Sequence, residues 1–195
     1  VGRTSGYAAA VGERWRFTQF GDLLLATDYT DPIQSFDLVE GARFDDLNGA
    51  DAPRARYIET VRNFAMVLNT VDADGIKPGR VRWSADNNPA SWPIPGSTAA
   101  KQALSDFQDL PGDLGDGMGL VSGLSSGDVS IFLERAIVNG LFVPDPDIIF
   151  QFDQVEGSRG LLAPDSLVQI GGEVFGLFED GFYRFNGVSS TPVGN

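Results

Sequence analysis

Short apolar runs, each preceded by a polar turn, recur along the chain and are typical of β-strands. The pattern is a polar turn followed by about five apolar residues, as in residues 23–27 after Asp22, and it returns after Asn63, Asp128 and Glu173. The turns are separated by 41 residues from Asp22 to Asn63, by 65 from Asn63 to Asp128 and by 45 from Asp128 to Glu173. Two of these three spacings match the roughly 40–50 residues of a four-stranded propeller blade.

Alternating segments flank these runs and predict further strands. Residues 14–20 and 166–170 precede a run, and each is joined to it by a pair that contains glycine. Such pairs favour a β-hairpin, because glycine accepts the positive φ of tight hairpin turns. Aromatic-rich segments at 33–38, 80–84, 148–153 and 181–186 follow the runs. We therefore predict an all-β fold with blade-like units at about 14–50, 57–93, 119–156 and 160–195, and an irregular insertion near 94–118.

The repeat favours a β-propeller over a β-sandwich. A propeller covers both faces of each sheet with neighbouring blades, so its inner strands are nearly continuous apolar runs, as at 23–26, 64–68 and 174–178. A coincidence among glycine-rich hairpins is the alternative. Four units are few for a closed ring, which usually has about 4–8 blades. We therefore expect a partial propeller or a fragment of a longer chain.

Only residues 97–110 have a helical pattern. Ala100, Leu104 and Phe107 follow the i, i+4, i+7 spacing of one helix face, and Ser97 is suited to cap the helix. One or two helical turns and an irregular loop remain alternatives for this segment.

Composition excludes several chemistries. The 195 residues include no Cys and no His, which excludes disulfides, thiolate or imidazole metal sites and catalysis by Ser-His or Cys-His pairs. The 27 acidic and 14 basic residues give a formal charge of −13, which disfavours a phosphate-gripping surface. No apolar run approaches the roughly 18 residues of a membrane-spanning helix.

Paired carboxylates are the catalytic chemistry that this composition leaves open. Asp22, Asp128 and Glu173 are the candidates for a propeller glycoside hydrolase, in which two carboxyl groups lie about 5–10 Å apart. Acidic residues are also common in hairpin turns, where they accept hydrogen bonds from nearby amides. Their recurrence from unit to unit favours this structural role, so we expect the chain not to be an enzyme.

Two further features suggest binding sites but have simpler interpretations. Asp72-Ala73-Asp74-Gly75 begins like a calcium loop, yet the later ligand positions hold Ile76 and Trp83, which favours a hairpin turn. Trp83 and Trp92 flank a polar turn and could stack on a sugar, although packing between blades is the commoner use of tryptophan.

Basic residues cluster weakly, and we interpret them as partners of local acids or as an interface. They are Arg54, Arg56, Arg62, Lys77, Arg80 and Arg82. We expect no catalytic, cofactor or metal site.

Three strings resemble the repeat units of tail proteins of short-tailed bacteriophages. They are WRFTQFGD at 15–22, VRWSADNNPASW at 81–92 and GGEVFGLFEDGFYRFNG at 171–187, of which WSADNNPASW is the most specific. The resemblance covers roughly residues 14–194. It implies a β-propeller subunit of the tail tube, a hub or nozzle protein of the virion that is made in the cytoplasm of a bacterial host.

The resemblance also implies the partners. Such a subunit assembles into a ring, commonly of six copies, and contacts the portal, the adaptor and other tail proteins. DNA passes through the tube as cargo and is not tightly bound. An acidic wall suits this role, because it repels phosphates where a basic wall would bind them.

Overall fold

The chain folds into four antiparallel sheets in two compact units. The computed structural model describes residues 6–47, 49, 51–124, 127–145 and 147–194. Unit 1 is Val1–Asp109 and unit 2 is Leu110–Asn195. Each unit holds two four-stranded sheets, and in every sheet the strands follow one another in chain order, so each sheet is a meander. The all-β prediction is confirmed.

Unit 1 contains sheets 1 and 2. Sheet 1 consists of β1 (Arg16–Phe20), β2 (Leu23–Thr27), β3 (Gln34–Asp37) and β4 (Asp45–Asp46). Sheet 2 consists of β5 (Arg54–Val61), β6 (Phe64–Asp72), β7 (Gly75–Trp83) and β8 (Asp106–Asp109), with the helix α1 (Thr98–Ala103) between β7 and β8.

Unit 2 contains sheets 3 and 4. Sheet 3 consists of β9 (Gly117–Ser122), β10 (Val129–Leu133), β11 (Ile137–Asp145) and β12 (Ile148–Glu156). Sheet 4 consists of β13 (Val168–Ile170), β14 (Glu173–Phe178), β15 (Gly181–Phe185) and β16 (Ser190–Pro192). Short 3₁₀ turns lie at Gly112–Leu114 and Pro164–Ser166.

Three of the four polar turns before the apolar runs are hairpin turns, and the loop before Asp128 lies partly outside the described residues. Gly21 joins β1 to β2 with φ 56°, and Gly171 joins β13 to β14 with φ 61°. Glycine adopts this left-handed conformation without the steric cost of a side chain. At the equivalent turn between β5 and β6, Arg62 adopts a φ of 52°.

The two sheets of unit 1 share an apolar core and polar cross-links. Leu25 of sheet 1 packs in one buried cluster with Ala55, Ile58 and Val67 of sheet 2. The hydroxyl of Thr60 donates to the carbonyl of Gln19 at 2.8 Å, and the Thr60 amide donates to Thr18 Oγ1 at 3.0 Å. These bonds join β1 to β5 at the edge of the core.

The two sheets of unit 2 pack through aromatic rings. Phe132 of β10 contacts Phe178 and Phe185 of sheet 4, with ring centroids 6.4 and 5.7 Å apart. Leu161 lies in the same cluster, where its amide donates to the Leu133 carbonyl at 2.9 Å and its backbone bridges to Phe178. The connection from sheet 3 to sheet 4 therefore passes through the core.

The segment near 94–118 is more ordered than expected. The helix α1 is shorter than the predicted pattern, and the predicted cap is present, since Ser97 Oγ accepts from the Ala100 amide at 3.1 Å. Leu104 ends the helix in a left-handed conformation with φ 53°. Phe107, predicted on the helix face, belongs to β8 instead. The segment thus supplies the fourth strand of sheet 2.

Burial of the inner strands differs between sheets. Every residue of β10 and residues 64–70 of β6 are buried, as expected for strands covered on both faces. In β14 burial alternates from residue to residue, so one face of sheet 4 is more open than the other. The continuous apolar run at 174–178 therefore does not mark a strand with both faces buried.

We expect the close approach at Gly160 to tolerate no side chain. A Cβ at this position would overlap the backbone of Glu134 and Arg135. Gly160→Ala should lower the free energy of unfolding of unit 2 by about 1–3 kcal/mol or more, as measured by urea denaturation. Gly172→Ala is the matched control, because a Cβ there meets no atom within 4 Å. Equal stability of the two variants would contradict the packing described for Gly160.

Candidate functional site

A cavity in unit 1 gathers charged side chains. Its volume is about 480 Å³, and Phe107, Ile94 and Pro95 form part of its apolar wall. Three acidic and three basic residues line the remainder, namely Asp51, Asp72, Asp74, Arg54, Arg80 and Arg82. The cavity is therefore charged but close to neutral as a whole.

The hairpin between β6 and β7 positions two of the carboxylates. Asp72 ends β6 and pairs in register with Gly75, whose φ of 92° closes the turn. The Asp74 amide donates to Asp72 Oδ1 at 3.0 Å, an interaction that is typical of an Asx turn. The four residues that resemble the start of a calcium loop thus form the predicted hairpin turn.

Arg80 is the centre of the charged cluster. Its side chain is only 4% exposed, and its guanidinium stacks 3.8 Å above the ring of Phe107. Nε and Nη2 donate to the two oxygens of Asp109 at 2.7 and 2.8 Å, because Arg80 and Asp109 lie opposite each other on β7 and β8. Nη1 donates to Asp72 at 3.0 Å and to Asp74 at 2.9 Å.

This arrangement stabilises the charged forms of its members. The hydrogen bonds that Arg80 donates to Asp109 raise the pKa of Arg80 above its usual value. The hydrogen bond from Arg80 lowers the pKa of Asp109 and also that of Asp74. A buried charge is costly unless it is paired, and here three carboxylates compensate one guanidinium.

Arg82 is buried beside this cluster with weaker partners. Its Nη1 lies 4.0 Å from Asp72, and its Nη2 donates to the Trp92 carbonyl at 3.4 Å. Nε is buried without a hydrogen-bond partner among the described residues. Burial lowers the pKa of Arg82 below its usual value, with Asp72 opposing that effect. Arg82 therefore keeps one N–H donor, at Nε, that no described acceptor satisfies.

Two of the six clustered basic residues, Arg80 and Arg56, bind local acids closely, as one of the two sequence interpretations has it. Arg80 is bound to Asp72, Asp74 and Asp109, and Arg56 Nη2 binds Glu13 at 3.0 Å. Arg54 Nη1 donates to the Thr30 carbonyl at 3.1 Å.

Trp83 and Trp92 do not offer a stacking surface. Each is 3% exposed. The indole N–H of Trp83 donates to the Leu104 carbonyl at 3.0 Å, and that of Trp92 donates to the Pro89 carbonyl at 2.8 Å. The WSADNNPASW string therefore forms a packed corner of unit 1, in which the Ala85 amide donates to the Ser91 carbonyl at 2.8 Å.

The acids that were candidates for a glycoside hydrolase lie in turns or at the start of a strand. Asp22 is exposed in the hairpin between β1 and β2. Asp128 lies just before β10, and its carboxylate accepts from the Phe142 amide at 2.7 Å. Glu173 begins β14 and lies 3.4 Å from Nη1 of Arg184 on β15. The hydrogen bond of Asp128 and the ion pair of Glu173 each connect the start of one strand to the next strand of the same sheet.

A second charged cluster, in unit 2, has no counterpart in the sequence analysis. Arg159 Nη2 binds Asp180 at 3.1 Å and its guanidinium lies 4.0 Å above the ring of Tyr183, whose hydroxyl donates to Asp180 at 2.7 Å. Arg159 also binds Glu156 at the end of β12, and Glu156 accepts from Ser190 of β16. The cluster therefore ties sheet 3 to sheet 4.

The comparisons with known proteins identify no relative. The chain matches no protein-family model, and no curated protein matches it significantly.

Within the ranges that the structure describes, no three His, Cys, Asp or Glu side chains are grouped so as to hold a metal ion. In those same ranges no helix has the length and apolar character needed to cross a membrane.

We expect Arg80 to be a main determinant of the stability of sheet 2. Arg80→Ala leaves the buried carboxylate of Asp72 without its closest cation, while Asp74 and Asp109 are 61% and 51% exposed, so it should lower the free energy of unfolding by about 3 kcal/mol, measured by urea denaturation. Arg43→Ala is the control, because the Arg43–Asp45 pair has side chains that are 48% and 56% exposed. That variant should lose less than about 1 kcal/mol. Similar losses in both variants would show that the Arg80 cluster is not stabilising.

We expect the Arg159–Asp180 pair to control stability in acid. The hydrogen bonds from Arg159 and Tyr183 lower the pKa of Asp180 to about 2. Because this folded-state pKa lies below the unfolded value of about 3.9, the pair stabilises the fold above pH 4. That contribution is lost as the pH falls from about 4 to about 2.

Thermal melts between pH 6 and pH 2 test this expectation. The midpoint of the wild-type protein should fall more steeply below pH 4 than that of Asp180→Asn. Glu179→Gln, which changes the neighbouring exposed acid, should keep the wild-type slope. A wild-type slope in Asp180→Asn would be the contrary result.

Proposed function

We propose that the chain is a non-catalytic structural component of a bacteriophage tail, a hub or nozzle subunit that acts by ring assembly. In this proposal its four-stranded sheets are blades of a β-propeller or of part of one. The support from the sequence is the resemblance of three strings, at 15–22, 81–92 and 171–187, to the repeat units of such proteins. The fold supports the proposal because the chain forms four consecutive four-stranded antiparallel meanders, and each blade of a propeller is a four-stranded sheet.

The observation that carries the proposal is an uncovered apolar face on sheet 4. Strand registers place Val168 beside Phe175, Ile170 beside Glu173 and Phe182 beside Leu177. Because side chains alternate between the faces of a sheet, these residues share the face opposite the core with Arg184, which pairs with Phe175 and lies 3.4 Å from Glu173. Val168, Ile170 and Phe182 are 53%, 62% and 61% exposed. We call this surface the outer face of sheet 4.

An apolar sheet face of this kind favours an interface. Soluble monomers rarely expose contiguous apolar patches larger than a few hundred Å², and larger ones mark interaction sites. A sheet packs best against another sheet, with side chains of the two faces interdigitating about 10 Å apart. In the proposed ring, a sheet of a neighbouring copy covers the outer face of sheet 4, as the next blade does in a propeller.

The charge of the chain suits a conduit. A formal charge of −13 repels the phosphates of passing DNA, whereas clustered Lys and Arg would release counterions and grip it. In both charged clusters the arginines are bound to carboxylates and do not form a free basic surface. DNA is then cargo and not a ligand.

Self-association of the purified chain tests the proposal. Native mass spectrometry and analytical ultracentrifugation should detect ring-sized oligomers of the wild-type protein. The double variant Ile170→Lys and Phe182→Glu should remain monomeric, because charges on the outer face of sheet 4 cannot be buried against another sheet. Circular dichroism should show that both proteins are folded.

The control variant changes an exposed isoleucine elsewhere. Ile76, at the start of β7, is 66% exposed, and Ile76→Lys should assemble like the wild-type protein. A wild-type protein that stays monomeric at all concentrations would contradict assembly from this chain alone. Oligomers that persist in the double variant would show that the outer face of sheet 4 is not the interface.

A further inference from the structure

Sheet 1 carries a small aromatic cavity on the face opposite its core. The volume is about 200 Å³, and four rings line it, from Tyr7, Trp15, Phe17 and Phe44. The rings are steeply inclined to each other and not stacked in parallel. Tyr7 and Trp15 meet at 75° with centroids 5.1 Å apart, and Phe17 and Phe44 meet at 62° with centroids 6.4 Å apart.

The strand register explains the floor of the cavity. Phe17 of β1 pairs with Ala26 of β2, and Ala26 pairs with Gln34 of β3. Residues paired across a sheet share a face, so these three side chains form one row. Ala26 is the small member of that row and leaves the space between Phe17 and Gln34.

Gln34 contributes a buried acceptor without a partner. The residue is 1% exposed, and its Nε2 donates to the Pro32 carbonyl at 2.8 Å and to Asp46 Oδ1 at 2.6 Å. Both partners are acceptors, which fixes the orientation of the amide, since only the nitrogen can donate to them. Oε1 is then buried with no hydrogen-bond partner among the described residues.

The chemistry of this cavity favours a cation that carries N–H donors. Aromatic rings attract cations through their quadrupoles, and cages of several rings recognise ammonium-type groups. The charge-assisted bond to Asp46 polarises the Gln34 amide and makes Oε1 a stronger acceptor. The residues that line the cavity include no basic side chain that would repel a cation.

We propose that this cavity binds the guanidinium group of an arginine side chain from a partner protein. A guanidinium is planar, charged and rich in N–H donors, so it combines stacking on aromatic rings with a hydrogen bond to Gln34 Oε1. A cavity of about 200 Å³ is smaller than the roughly 300–1,000 Å³ of small-molecule sites and suits one side chain. The formal charge of −13 favours basic partners as well.

Three small probes separate charge from hydrogen bonding. Ethylguanidinium has the charge and the N–H donors, ethylurea has a similar planar shape and N–H donors at two of its three positions but no charge, and tetramethylammonium has the charge without donors. Each is titrated against the ¹⁵N-labelled protein at constant ionic strength, and the resonances of the Gln34 side-chain amide and the Trp15 indole are followed. Ethylguanidinium should give saturable shifts with a dissociation constant on the order of 10 mM.

The order of affinities decides the proposal. Ethylguanidinium should bind about fivefold or more tightly than ethylurea, and more tightly than tetramethylammonium. Equal binding of ethylurea would overturn the cation site. Equal binding of tetramethylammonium would overturn the role of Gln34 Oε1 and indicate a quaternary ammonium ligand instead. Shifts that do not saturate would also overturn the proposal.

A matched pair of variants locates the site. Phe17→Leu keeps an apolar side chain but removes one ring, and it should weaken ethylguanidinium binding severalfold. Phe152→Leu makes the same change on β12 of sheet 3, outside the cavity, and should bind like the wild-type protein. Equal weakening in both variants would contradict binding at the cavity of sheet 1. Because the probes are monomeric ligands, this result does not depend on whether the chain forms rings.

Discussion

The structure depends on covering the faces of four-stranded sheets. A β-sheet with one apolar face must bury that face against another element, so each four-stranded meander here needs a partner. In unit 1 the cover is supplied by sheet 1 on sheet 2, through Leu25 and Val67, and in unit 2 by sheet 3 on sheet 4, through Phe132 and Phe185. No described residue covers the outer face of sheet 4 in this way, and Val168, Ile170 and Phe182 are exposed there beside the Glu173–Arg184 pair. The proposed assembly buries the outer face of sheet 4 against a sheet of a neighbouring copy, as the inner faces are buried within each unit.

Ion pairs also hold the strands and sheets together. Arg80 on β7 binds carboxylates of β6, of the β6–β7 turn and of β8, while Arg159 joins the end of β12 to the turn before β15. In both clusters an arginine stacks on an aromatic ring and binds carboxylates at the edge of a sheet. The acidic excess of the chain is thus partly used to hold turns and sheet edges together, which is a structural use of carboxylates.

Local features of the fold could be predicted from the sequence, and distant pairings could not. The hairpins at Gly21 and Gly171 and the cap at Ser97 were predictable because neighbouring residues determine them. The fourth strand of sheet 2 was missed because it follows a helix and pairs with a strand more than twenty residues earlier. The Arg159 cluster was missed for a similar reason, since Asp180 lies 21 residues away and only the fold brings it near. The orphan oxygen of Gln34 is a property of packing that no motif encodes.

An electron cryomicroscopy map of the assembled protein tests the central claim most directly. We expect density for a four-stranded sheet lying about 10 Å from the face that carries Val168, Ile170 and Phe182, with those three side chains buried. A map in which the assembly leaves this face open to solvent would contradict the claim that an uncovered sheet drives assembly.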